Sequence, residues 1–141
     1  MDLAKYRAVF LEEAAEHLAE MSRGLLELEK DPACVDAIDS VFRMAHSIKG
    51  MAASLEYASI TSVAHRLEDR MQTIRSAGCV PGGEETAVLF RGLEGLEAMV
   101  AAVRETGEPP PPDAELEAVL AAAARPAAGD AKKKDLSAQT R

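Results

Sequence analysis

The chain has 141 residues, 48% of them apolar and 4% aromatic, with no Trp and a net charge of −8. That length holds one domain of ordinary size and a tail, and a core of Leu, Ile, Val, Met and Ala favours helices over strands. The acidity excludes nucleic acid as a partner, because a phosphate backbone would be repelled. The basic run Lys132-Lys133-Lys134 falls in residues 126–141, which leaves −10 for the rest of the chain.

The first helix shows the clearest periodicity. Leu11, Ala14, Leu18, Met21, Leu25 and Leu28 recur at spacings of three and four, with Tyr6 and Phe10 extending the stripe toward the N-terminus. Glu12, Glu13, Glu16, His17, Glu20 and Arg23 belong on the wet side. Asp31-Pro32 stops this helix near Lys30 and restarts the chain, since Asp caps and Pro suits the first position of a new helix.

A second helix is expected from Ala33 to Ser54, with Val35, Ile38, Val41, Phe42, Ala45, Ile48 and Ala52 facing inward. Gly50 lies inside it at a cost of about 1 kcal/mol relative to Ala, which calls for a reason. A third runs from Ser59 to Ala77 on Ile60, Val63, Ala64, Leu67, Met71 and Ile74. After the turn 78–83, a fourth covers Glu84 to Thr106 with Leu89, Leu93, Leu96, Val100 and Val103. Pro109 to Pro112 favour an extended connection, and a short fifth helix follows from Asp113 to Ala124 on Leu116, Val119 and Leu120.

The expected fold is all-α: an antiparallel four-helix bundle over residues 1–108. Residues 109–125 form a Pro-rich connection and the fifth helix, and 126–141 a disordered tail or linker. The opening residues lack the apolar stretch of a signal peptide, and no segment approaches the roughly 18 apolar residues of a membrane span. Cys34 and Cys79 read as free thiols, and the expected setting is cytoplasmic.

Three histidines are candidates for chemistry. His17 lies among Glu13, Glu16 and Glu20 and reads as a surface imidazole. His46 follows the core position Ala45, so it belongs at the rim of the apolar stripe. Lys49 and Gly50, three and four residues on, share its helical surface. An imidazole, a cation that could balance a phosphoryl group and a missing side chain thus form one patch; read from the residues alone, such a patch is more often structural than functional. His65 and Glu68 are three apart on the third helix. If the second and third helices are antiparallel neighbours, this pair can face His46, and a carboxylate could fix its tautomer. Equally, His65 and Glu68 could be a local contact within one helix, and Asp69 is a second candidate carboxylate.

The segment from Val41 to Ala52, with Ala45-His46-Ser47-Ile48-Lys49-Gly50 at its centre, resembles the phosphorylation-site helix of the histidine phosphotransfer (HPt) domain of CheA-type chemotaxis histidine kinases. Phe10, Glu13-Ala14, Leu18 and Met21 resemble the opening helix of such domains, and Ala64-His65-Arg66-Leu67-Glu68-Asp69 the segment supporting the active histidine. The resemblance implies that His46 is the phosphoacceptor, modified on its ε-nitrogen, that Glu68 holds its δ-nitrogen, and that Lys49 and His65 complete the polar network. Gly50 would keep the site open to docking partners. The implied partners are an ATP-binding kinase domain as donor and CheY- or CheB-type response regulators as acceptors, with ATP and Mg²⁺ held by those partners and no cofactor or metal in this chain. Met51 and Glu56 depart from the family, standing where many relatives have glycine.

The chain is thus expected to be a substrate and relay, not an enzyme in isolation, because no Gly-rich nucleotide loop is present. An isolated domain of this kind is expected to be monomeric. The alternatives are a stand-alone phosphorelay carrier and a purely structural interaction module. A di-iron bundle needs Glu-x-x-His on two helices, whereas His65-x-x-Glu68 occurs once and reversed.

Overall fold

The computed structural model describes residues 2–123. Five helices follow one another in it: α1 (Leu3–Lys30), α2 (Val35–Ser54), α3 (Ala58–Ala77), α4 (Gly83–Thr106) and α5 (Ala114–Ala121). Their ends obey local chemistry. Asp2 caps α1 by accepting from the Lys5 N–H at 3.2 Å, and Asp113 caps α5 by accepting from the Leu116 N–H at 3.1 Å. Gly78 and Gly107 end α3 and α4 in the left-handed region, each at φ 88°, a backbone that glycine adopts without a Cβ clash.

The connections 31–34, 55–57 and 78–82 are too short for anything but antiparallel neighbours. The Val80 N–H donates to the Pro32 carbonyl at 2.9 Å, which ties the first and third of these loops together at one end of the bundle. α1 touches α2 and α4, α3 touches α2 and α4, and neither diagonal pair meets. The four long helices therefore form a square. α5 lies outside it, against α3 and α4.

The core follows the predicted stripes. Phe10, Ala14, Leu18, Met21, Leu25 and Leu28 on α1, Ile38, Val41, Ala45, Ile48 and Ala52 on α2, and every stripe residue read for α3 and α4 are buried. Leu116 and Leu120 seat α5. Of the remaining stripe residues Leu11, Phe42 and Val119 are partly buried, and two are exposed, Tyr6 at 50% and Val35 at 63%. Each of these two lies in the first turn of its helix, before the chain enters the packed interface.

The second helix also starts later than the Asp31-Pro32 signal implied. The Asp31 carboxylate accepts from the Ala33 N–H and its carbonyl from the Cys34 N–H, both at 3.1 Å, so these residues close a turn and the helix begins at Val35. α5 ends at Ala121, short of the expected Ala124. The reading of residues 126–141 lies outside the described residues. Cys34 and Cys79 are free thiols. No helix among the described residues is long and apolar enough to cross a membrane.

Candidate functional site

Packing on α2 decides which way its polar residues point. Ala45 and Ile48 are fully buried, so His46 and Lys49, each one residue further on, emerge at the edge where α2 meets α3. On α3 the same logic applies to Glu68, which follows the buried Leu67. Toward the start of α2, Arg75 of α3 lies 5.0 Å from the Phe42 ring centroid and 3.2 Å from Asp39. Those contacts hold the two helices in register one turn before His46.

Three of the predicted residues converge there. The Glu68 carboxylate receives a hydrogen bond from Nδ1 of His46 on one oxygen and forms an ion pair with the Lys49 ammonium on the other, at 2.5 Å. An ionised carboxylate only accepts, so Nδ1 carries the ring proton and Nε2 of the neutral imidazole keeps its lone pair. The His46 side chain is 63% exposed, against 11% for Glu68 and 28% for Lys49. A nucleophilic nitrogen is thus presented to solvent by a ring fixed from behind.

The electrostatics keep Glu68 charged. Burial alone would raise its carboxyl pKa, but the hydrogen bonds and charges of Lys49 and His46 outweigh that, and the net shift is downward from the ordinary 4.5. The carboxylate is therefore available at neutral pH both to orient the imidazole and to stabilise positive charge on it.

His65 is not part of this cluster. It is exposed, and its Nε2 lies 3.6 Å from Asp69 Oδ1, four residues along the same helix. Among the described residues no hydrogen bond or ion pair joins it to His46, Lys49 or Glu68, so the polar network expected of it is absent and the local pairing along α3 takes its place. A spacing of three leaves His65 and Glu68 about 60° apart around the helix, and at the edge of the α2–α3 seam that offset suffices to leave His65 exposed while Glu68 is buried against α2. His17 is half-buried on α1, with no hydrogen bond or ion pair to the cluster among the described residues. Gly50 is exposed, and a Cβ built on it would meet nothing within 4 Å. Nothing among the described residues demands glycine there.

Sequence reasoning missed a second charged cluster on α3. Arg70 is buried, with two nitrogens on the Glu85 carboxylate at 2.5 and 2.7 Å and a third on the carbonyls of Leu120 and Ala122, both at 2.6 Å. Ser59 donates to the Pro110 carbonyl at 2.8 Å, and Ser62 and Arg66 both reach Glu117. One edge of α3 thus holds α5 and the segment before it. The signal was present: Arg70 stands three residues after Leu67 and four before Ile74, a charge in an apolar stripe.

The Hpt domain family model matches residues 5–106. The chemotaxis protein CheA of Bacillus subtilis is 35% identical over 108 residues, covering 77% of this chain and 16% of that protein. The CheA phosphotransferase domain from Thermotoga maritima superposes with a TM-score of 0.67 at 29% identity, covering 74% of this chain and 98% of that one. The phosphorylated P1 domain of CheA3 from R. sphaeroides, solved in complex with CheY6, gives 0.75 at 24% identity, covering 82% and 92%. The chain spans about one sixth of the length of the curated B. subtilis relative.

Proposed function

The chain belongs to the Hpt domain family, and from that premise we propose that His46 is its phosphoacceptor within a CheA-type histidine kinase. The observation that carries the reading is the Glu68 carboxylate, which accepts a hydrogen bond from His46 Nδ1 on one oxygen and pairs with the Lys49 ammonium on the other, while the ring is 63% exposed.

The chemistry follows from the ring. The Nε2 lone pair attacks the γ-phosphorus of ATP held by a separate kinase domain, the P–N bond forms, and ADP leaves with the electron pair of the broken P–O bond. The ring, now substituted at Nε2 and still protonated at Nδ1, is a cation, and the Glu68 carboxylate stabilises it. In the onward step a receiver aspartate of a CheY- or CheB-type partner attacks phosphorus, and the electron pair of the P–N bond returns to Nε2. Positioning and charge neutralisation are the main contributions proteins make to such transfers. Mg²⁺ and the acidic residues around the aspartate belong to the partner, and the setting is the cytoplasm. The open space at Gly50 supports its role in letting a partner backbone come close to His46.

Treatment with a cognate kinase domain and ATP, followed by mass spectrometry at neutral to basic pH, maps the modified residue. The expected product is acid-labile, alkali-stable phosphohistidine at His46, lost in His46→Gln. Label that resists acid, or that survives His46→Gln undiminished, overturns the assignment.

A further inference from the structure

One cation beside the nucleophile has no partner among the described residues. Arg43 lies three residues before His46 on α2, is exposed, and makes no hydrogen bond or ion pair among the described residues. Its nearest acidic neighbour one turn back, Asp39, is taken by Arg75 at 3.2 Å. Lys49 differs in that its ammonium is already paired with Glu68, and Glu68 in turn offsets the positive ring of a phosphorylated His46. Those three charges sum to +1, short of the roughly −2 that a phosphoryl group carries near neutral pH. Part of the negative charge of the phosphoryl group is therefore left over, and Arg43 is the cation on α2 that no internal carboxylate among the described residues already engages.

The helical wheel places the leftover cation on the correct side. At 3.6 residues per turn, Arg43 and Gly50 stand about 60° and 40° from His46 toward solvent, whereas Lys49 stands about 60° the other way, toward α3. A phosphoryl group arriving at Nε2 therefore meets Arg43 one turn before the ring and open backbone one turn after it.

We propose that Arg43 binds the phosphoryl group as it reaches Nε2 of His46 and while it remains there, with its guanidinium on the phosphoryl oxygens. This rests on His46 being the acceptor, and the experiment separates the two claims. The whole chain is incubated with potassium phosphoramidate at about pH 8, which needs no kinase. The Nε2 lone pair forms the new P–N bond, ammonia leaves with the electron pair of the old one, and the Nδ1 proton stays against Glu68. Loading and subsequent hydrolysis are followed by ³¹P NMR.

Relative to the unaltered chain, Arg43→Gln is expected to load His46 about threefold more slowly, the size of an exposed charge pair. Arg43→Lys should retain most of the rate, and the gap should narrow in about 0.5 M salt. Arg104→Gln removes the same charge from an exposed position on α4, a helix that does not touch α2, and should load normally. Equal loading and hydrolysis in Arg43→Gln and the unaltered chain overturns the proposal, as does an equal loss in Arg104→Gln. Undiminished histidine loading in His46→Gln would instead overturn the acceptor assignment.

Discussion

Two ion pairs share α3 and lie two residues apart along it. Glu68 meets Lys49 and His46 at the seam with α2, where the His46 ring is largely in solvent. Arg70 meets Glu85 at the seam with α4, where both side chains are sealed at 8% and 2% exposure. Each joins a glutamate to a nitrogen cation across a helix seam, and the difference lies in what remains unsatisfied. Arg70 uses its donors on Glu85 and on two carbonyls at the end of α5, so no group is left to react and the pair is architecture. The Glu68 cluster is closed on the protein side and open at Nε2, so it can exchange a group with a visitor. Burial converts a charge cluster into a clasp; partial exposure leaves it chemistry.

The sharpest test of that contrast is Arg70→Ala. It leaves Glu85 buried without a partner and should cost about 3–5 kcal/mol, read as a lowered urea midpoint, with α5 released. A loss below about 1 kcal/mol would mean the clasp is ordinary surface electrostatics.

Gly92→Ala probes how far the two regions are separable. A Cβ at Gly92 would lie 2.5 Å from the Leu67 side chain, which is buried and adjoins Glu68. Overpacking should cost about 1–3 kcal/mol in thermal denaturation, and displacement of Glu68 should slow phosphorylation of His46 as well.

Glu68→Gln should show the opposite balance, with acceptor rate down about tenfold and stability down by about 1 kcal/mol or less. Its pH signature has a definite sign. Because the folded carboxyl pKa lies below the ordinary 4.5, the Glu68 contribution is fully present above that value and fades as pH falls through the folded one. The acid limb of the stability profile should be flatter in Glu68→Gln. An unchanged limb would show that Glu68 is not held ionised by its neighbours.

The smallest effect is expected in the turn between α2 and α3. Glu56 sits there at φ 61°, a left-handed backbone that costs a side-chain-bearing residue about 1 kcal/mol. Glu56→Gly should stabilise the fold by about 0.5 kcal/mol, read as a slightly higher thermal midpoint, with the His46 labelling rate unchanged. A changed rate would tie this turn to the site.

The stripes on α1 to α4 were legible because each is a local statement: three- and four-residue spacing says which residues share a side, and burial of that side follows. Tyr6 and Val35 mark where this reasoning ends, since periodicity does not say how far a neighbouring helix reaches. The reactive patch was partly legible for the same reason, as His46, Lys49 and Gly50 belong to one helix. Spacing alone left Glu68 and Asp69 both open as the carboxylate beside His46; the resemblance singled out Glu68, and the role it implied for His65 does not match the exposed pairing of that residue with Asp69. Arg70 and Glu85 were passed over because charged residues are taken for surface unless their stripe position is noticed.

Composition and spacing alone determined an all-helical chain, the inward side of each long helix, and an imidazole at the rim of one of them. Tertiary structure decided which carboxylate stands behind that imidazole, which cation is already engaged, and what fastens α5. The physical reason is one of length. Sequence periodicity defines the angle of a side chain about its own axis, but sliding one helix past another by a single turn moves a partner about 5.4 Å, further than an ion pair can stretch.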